Sequence, residues 1–153
     1  MLAEGDLAPD FELRSDEGEA VRLSDLRGRP VVLYFYPKDD TPGCTRQACS
    51  FRDAFAEFRG LDALVLGISP DNETSHARFR AKYDLPFTLL SDPDHEVAES
   101  YGAWGEKTIS GKKSIGIIRS SFVVDAEGKV AKALVPVSPE DNVAAALAAL
   151  GAP

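Results

Sequence analysis

The sequence predicts an α/β fold with a central mixed β-sheet flanked by helices. Three observations carry that expectation. Residues 31–36, Val-Val-Leu-Tyr-Phe-Tyr, are an unbroken apolar run suited to a strand covered on both faces. A helical stretch and a second apolar run at 63–69 follow, which together make a right-handed βαβ unit. Residues 117–125 and 129–135 flank Ala126-Glu127-Gly128 as a strand pair.

The other elements follow in order. Residues 10–14 and 19–23 alternate polar and apolar around Ser15-Asp16-Glu17-Gly18, the pattern of an N-terminal hairpin. After the first buried strand, residues 37–43 are a polar loop with two prolines, and a helix runs from there to about Phe58. Ala48, Phe51, Phe55 and Phe58 form its apolar stripe. Asp71 or Asn72 caps a helix reaching about Tyr83, with Phe79 and Tyr83 on its buried side. Residues 87–91 read as a short strand and 94–101 as a short helix. Residues 105–114 read as a solvated loop carrying Lys107, Lys112 and Lys113. The loop faintly imitates a phosphate loop, but Lys113 stands where Ser or Thr is required. Trp104 is expected as a core anchor in preference to a lid. The last helix starts at Ser138 as cap, with Pro139 in first position and Asp141 closing a capping box. Val143, Leu147 and Leu150 give it an apolar stripe. No repeat, linker or charge block divides the chain, so residues 1–153 are expected to form a single domain.

At this length a hydrophobic core suffices without disulfide or metal staples. The 17 Lys and Arg against 25 Asp and Glu give a formal charge of −8. That balance argues against nucleic acid or an anionic membrane surface as partner. No apolar run approaches the ~20 residues of a membrane span. The acidic start, Met-Leu-Ala-Glu-Gly-Asp, lacks the layout of a signal peptide, so the expected location is cytoplasmic. In a reducing compartment a close cysteine pair such as Cys44 and Cys49 points to catalytic, redox or metal chemistry before a structural staple.

The informative segment runs from Pro37 to Cys49. It leaves the C-terminal end of a central strand and enters a helix, the place where α/β sheets bind ligands. Pro42 suits the first helical turn, where its missing N–H would be unpaired anyway. Cys44 then lies in that turn, beside free backbone N–H groups and the positive end of the helix dipole. Both favour the thiolate, and the thiol is expected to titrate below the unperturbed value of ~8.5. Cys49 lies about 140° around the axis from Cys44 and about 7.5 Å along it. The two Cα atoms are then roughly 8.6 Å apart, beyond the ~7 Å that a disulfide tolerates. An intact helix therefore forbids this bond, and forming it requires the first turns to unwind. Two buried inert cysteines remain the competing reading, better suited to Cys49 than to Cys44. A metal site would need two further ligands, and His76 and His95 lack paired spacing and read as solvated surface residues. A thioredoxin-type dithiol would need Cys-x-x-Cys, whereas four residues intervene here.

At these residues the chain resembles the peroxiredoxins, of the peroxiredoxin Q or bacterioferritin comigratory protein subfamily. The resemblance spans nearly the whole chain. It rests on residues 9–13 and 23–30, on Tyr-Phe-Tyr-Pro-Lys-Asp-Asp-Thr-Pro-Gly-Cys at 34–44, on Ala48-Cys49 with Phe51-Arg52-Asp53, and on 104–125. It implies a thioredoxin-like fold with an N-terminal hairpin extension. It implies thiol peroxidase activity on hydrogen peroxide and organic hydroperoxides, thioredoxin as reductant, and no metal or organic cofactor. By position it makes Cys44 the peroxidatic cysteine and Cys49 the resolving cysteine. Thr41 becomes the hydroxyl facing the thiolate and peroxide, Pro42 the shielding proline, and Arg119 the active-site arginine. Gln47 departs from relatives that carry Glu there. The chain also lacks the C-terminal extension of obligate-dimer relatives, so a monomer with an intramolecular cycle is expected. A redox sensor or holdase switched by the same disulfide is the alternative, and a non-catalytic thioredoxin-fold binding module is a third.

Overall fold

The structure, a computed structural model, describes residues 2–151. The N-terminal hairpin forms as β1 (Glu12–Ser15) and β2 (Ala20–Arg22), with Leu13 opposite Val21. The apolar runs become β3 (Val31–Phe35) and β4 (Leu64–Ser69), paired in parallel with helices α1 (Pro42–Asp53) and α2 (Phe55–Gly60) in the crossover. Helix α3 (Glu73–Lys82) leads to β5 (Thr88–Ser91), parallel to β4, and α4 (Glu96–Ser100) follows. Strands β6 (Trp104–Ile109) and β7 (Lys112–Ile117) make a separate hairpin. The chain returns through β8 (Ser120–Val124) and β9 (Val130–Leu134) and ends in α5 (Asn142–Ala149). The main sheet has seven strands in the order β2-β1-β5-β4-β3-β8-β9, and it is mixed because β8 pairs antiparallel with β3.

Strand side chains alternate between faces, and that alternation builds two cores. Leu33, Phe35, Leu66, Ile68, Leu90 and Phe122 point to one face, under α4 and the N-terminal segment carrying Ala8 and Phe11. Val32, Tyr34, Tyr36, Val65, Leu89 and Val123 point to the other. There they meet Cys44, Ala48 and Phe51 of α1, Phe58 of α2, Phe79 of α3 and Ala146 of α5. Every residue of β3 is buried, as the unbroken apolar run requires. At the sheet's far edge, Val130 on β9 donates to Asp6 and accepts from Gly5, so the N-terminal segment covers part of that strand.

Several expectations are corrected. The helix expected to reach Phe58 breaks at Ala54, which leaves helical geometry at ψ +6°. The break still leaves Phe51 and Phe58 fully buried, with ring centroids 5.5 Å apart. The segment read as a solvated loop is the β6–β7 hairpin, with Lys107 opposite Ser114 and Ile109 opposite Lys112. Its turn residues, Ser110 at φ +52° and Gly111 at φ +80°, are both left-handed, the geometry of a tight hairpin turn. Ile117 belongs to that hairpin, and β8 begins only at Ser120. The Ser138–Asp141 hydrogen bonds do form, at 2.8 and 3.1 Å. They close a separate turn, and α5 starts after it at Asn142. His76 is not a surface residue but fully buried. His95 is half-buried and stacks on Trp104 at 3.6 Å between ring centroids. Trp104 packs against the first core, as a core anchor should.

Gly67 on β4 has no room for a side chain. An added Cβ would lie 2.8 Å from Leu89 Cδ2 and from the Tyr34 ring. Gly67→Ala is therefore expected to destabilise the fold by about 1–3 kcal/mol through overpacking. The midpoint of urea unfolding measures this.

Candidate active site at the start of helix α1

Helix α1 opens with Thr41 as N-cap and Pro42 in first position, and its first turn holds no acidic residue. Thr41 Oγ1 does not cap the helix but donates to the Lys38 carbonyl at 2.8 Å. No N-cap hydroxyl therefore competes for the free N–H groups of the first turn. Cys44 lies in that turn with 2 % exposure, packed among Tyr34, Tyr36, Ala48 and Phe51. Cys49, half-buried, is on the same unbroken helix, and both cysteines are free. The buried-and-inert reading thus meets the opposite of its own expectation: Cys44 is the more buried of the two.

Arg119 sits in the short link between β7 and β8, and its guanidinium reaches back to α1. Nη2 lies 3.5 Å from Cys44 Sγ, and Nη1 donates to Gln47 Oε1 at 2.5 Å. Gly43 leaves room for this approach; a Cβ there would stand a tight 3.2 Å from Arg119 Nη2. Gln47 is fully buried, and its Nε2 donates to Asn142 Oδ1 on α5 at 2.7 Å. The orientation of this chain is fixed by chemistry. A guanidinium only donates, so Gln47 must offer its oxygen to Arg119 and its amide to Asn142. The structure therefore brings together Cys44, Arg119 and Gln47. Thr41 and Pro42 stand at the helix start, Thr41 turned toward Lys38 and Pro42 exposed. Gln47 and Asn142 were not expected in this role. The spacing of Cys44 and Gln47, three residues apart on one helix face, is the signal that could have revealed Gln47. Nothing local marks Asn142, which arrives from the last helix.

The surroundings are electrostatically coupled. Burial and the neighbouring Arg119 hold the Lys107 amine below the usual lysine range. Burial, with the nearby Cys44 adding to it, pushes the Tyr34 hydroxyl well above the usual tyrosine range, so it stays neutral. His76 groups with Asp39 and Asp71, and among the described residues no metal-type grouping includes a cysteine.

The AhpC/TSA family model matches residues 5–133. Peroxiredoxin Bcp of Bacillus subtilis is 49% identical over 146 residues, covering 95% of this chain and 93% of the relative. The chain is a peroxiredoxin of the Bcp/PrxQ subfamily. Peroxiredoxin Bcp of Escherichia coli is 51% identical over 129 residues, covering 84% of this chain and 83% of that one. Among solved structures, the bacterioferritin comigratory protein of Xanthomonas campestris superposes with a TM-score of 0.86 at 37% identity, over 92% of this chain and 90% of its own. Peroxidoxin BcpB of Mycobacterium tuberculosis gives 0.88 at 37% identity, over 99% and 97%. The α/β fold described above is therefore thioredoxin-like with an N-terminal hairpin, and the family is one of antioxidant thiol peroxidases. No helix among the described residues of this peroxiredoxin is long and apolar enough to cross a membrane.

Two outcomes are expected. Gln47→Leu strips Arg119 and Asn142 of buried partners and should lower stability by about 1–3 kcal/mol, read from denaturant unfolding. The second outcome concerns Asp40, whose carboxyl is held below its ordinary 3.8 by hydrogen bonds from Lys82, then from Tyr83. A depressed carboxylate stabilises the fold above the unfolded pKa and loses that contribution as pH falls through the folded one. Asp40→Asn should therefore melt below the wild type at pH 7, and the gap should close as pH falls through a folded-state pKa that lies below 3.8.

Proposed function

We propose that this chain is a thioredoxin-dependent two-cysteine peroxidase acting on hydrogen peroxide and alkyl hydroperoxides. The observation that carries the reading is the Arg119 guanidinium 3.5 Å from a buried sulfur in the first turn of α1, with a second free cysteine on the same helix. The Xanthomonas relative, studied for alkyl peroxide reduction, supports the substrate class.

In the first step the Cys44 thiolate attacks one peroxide oxygen. A sulfur lone pair forms the S–O bond, the O–O bond breaks, and its electron pair stays on the departing oxygen, which leaves as water or alcohol after taking a proton. Arg119 and the N–H groups of the α1 start face the region where this negative charge develops. Thr41 Oγ1, whose hydrogen goes to the Lys38 carbonyl, keeps its lone pairs to accept from the peroxide, and Pro42 borders the sulfur as the family resemblance implies. The product is a sulfenic acid. The Cys49 thiol then attacks its sulfur, an S–S bond forms, and water departs. Because α1 is continuous across both cysteines, this step requires local unwinding. A dithiol such as thioredoxin reduces the disulfide by exchange and takes the oxidation. The cycle needs no metal or organic cofactor and is complete within one chain, so the enzyme works as a monomer in a reducing compartment, the cytoplasm. Residues 1–153 act as one domain.

The deciding measurement is peroxide-dependent oxidation of reduced thioredoxin by the purified protein. Sustained turnover supports an enzyme, whereas one equivalent and no more identifies a sensor. Cys44→Ser should abolish peroxide consumption. Cys49→Ser should keep the first oxidation and lose coupled turnover. Arg119→Ala should lower kcat/KM for peroxide by about 100- to 1,000-fold, as for loss of one donor to a developing oxyanion. Wild-type rates in any of the three would remove that residue from the mechanism.

A further inference from the structure

Asp39 is buried in the middle of the loop that joins β3 to α1, and no step above uses it. Its Oδ1 accepts from the Tyr36 hydroxyl at 2.6 Å, and its Oδ2 accepts from Ser75 Oγ at 2.7 Å. The same Oδ2 lies 2.7 Å from His76 Nδ1. The backbone N–H of Asp39 donates to Asp71 Oδ2 at 2.8 Å, which also accepts from Ser69 Oγ at 2.7 Å. His76 is fully buried on α3, with Nε2 3.0 Å from the Leu90 carbonyl oxygen. A carbonyl only accepts, so Nε2 carries a hydrogen. One further proton lies between Nδ1 and Oδ2, giving a hydrogen bond between two groups that burial isolates from solvent. The facing atoms of Asp39, Asp71 and His76 come within 4.8 Å of one another. All of them are already committed to these protein hydrogen bonds, so the cluster works as a clamp.

The next residue is gripped from the same helix. Asp40 holds φ +57°, a left-handed backbone, while Lys82 and Tyr83 donate to its carboxylate at 2.7 and 2.8 Å. Two consecutive loop residues are thus tied to α3 or its end. Thr41 and Pro42 follow directly, and Cys44 is two residues further on.

We propose that the His76–Asp39 pair positions Cys44 for attack on peroxide by anchoring the active-site loop to α3. It serves the oxidation step and not disulfide closure, which depends on the first turns of α1 letting go. His76 and Asp39 are positioning residues and touch no reacting atom. The inference rests on the reading of Cys44 as the peroxide-reactive thiol.

The test separates the two chemical steps. Oxidation of Cys44 is followed in a Cys49→Ser background by rapid quench and mass spectrometry. Closure is followed in the two-cysteine chain at saturating hydrogen peroxide, as appearance of the disulfide. His76→Phe, which keeps a ring and loses both hydrogen bonds, should slow oxidation about 10- to 100-fold, the scale of a small misplacement of a reacting group. The closure rate should not fall. Ser75→Ala removes only one donor to Asp39 and spares the pair, so it serves if His76→Phe does not fold; it should slow oxidation in the same direction by about two- to fivefold. His76→Gln, which keeps an N–H donor, should recover part of the rate. Lower melting temperatures with wild-type oxidation rates in the folded variants would make the clamp purely structural and overturn the inference. Equal slowing of both steps would overturn it too. A wild-type chain whose Cys44 is inert to peroxide would instead defeat the functional reading itself, and is recognised before any clamp variant is made.

Discussion

Residues five apart on a continuous α-helix cannot be joined by a disulfide, and α1 carries its two cysteines at that spacing. In the proposed cycle the helix must be whole to present Cys44 beside Arg119 and open to let Cys49 approach. A single rigid conformation cannot satisfy both demands. The surrounding structure is therefore a set of contacts that hold α1 closed without making it permanent.

Those contacts are unequal along the helix. Ala48 and Phe51 are buried against β3, where the Phe51 and Tyr34 rings stack at 4.7 Å between centroids. This apolar seam lies on the face away from Cys49. Gln47 is the polar fastening: between the cysteines in sequence, it ties Arg119 on one side and Asn142 on the other. In the proposed cycle, unwinding of the turn around it would free Arg119 from the helix as Cys44 leaves. The arrangement that orients the guanidinium in the closed state is thus the one dismantled on opening. In that cycle one amide side chain would couple stabilisation of the developing charge to availability of the sulfur.

Much of this was legible before any coordinates. The run at 31–36 has too many consecutive apolar residues for anything but a doubly covered strand, and β3 is buried throughout. Pro42 marked the start of α1 because proline fits only a first turn. The cysteine spacing carried its own geometric constraint. What was missed depends on distant partners or on weak local signals. His76 sits in a polar helix, and its burial depends on Asp39, 37 residues earlier. The β6–β7 strands hold three Lys and two Gly among their residues, and Ile115 and Ile109 are exposed, so no buried apolar face announces them. Ala54 breaks a helix without a proline or glycine to signal it. Arg119 came only from resemblance, because nothing in its own neighbourhood says which sulfur it faces.

The N-terminal segment has a consequence for colloidal behaviour. The outer edge of β9 is a row of backbone donors and acceptors that another chain could extend into a larger sheet. Gly5 and Asp6 occupy both groups of Val130, and Leu7 bridges to Lys129 beside it. With the half-buried Lys132 further along the strand, the edge open to a neighbour is short and charged. Loss of those few leading residues would turn a guarded margin into an adhesive one.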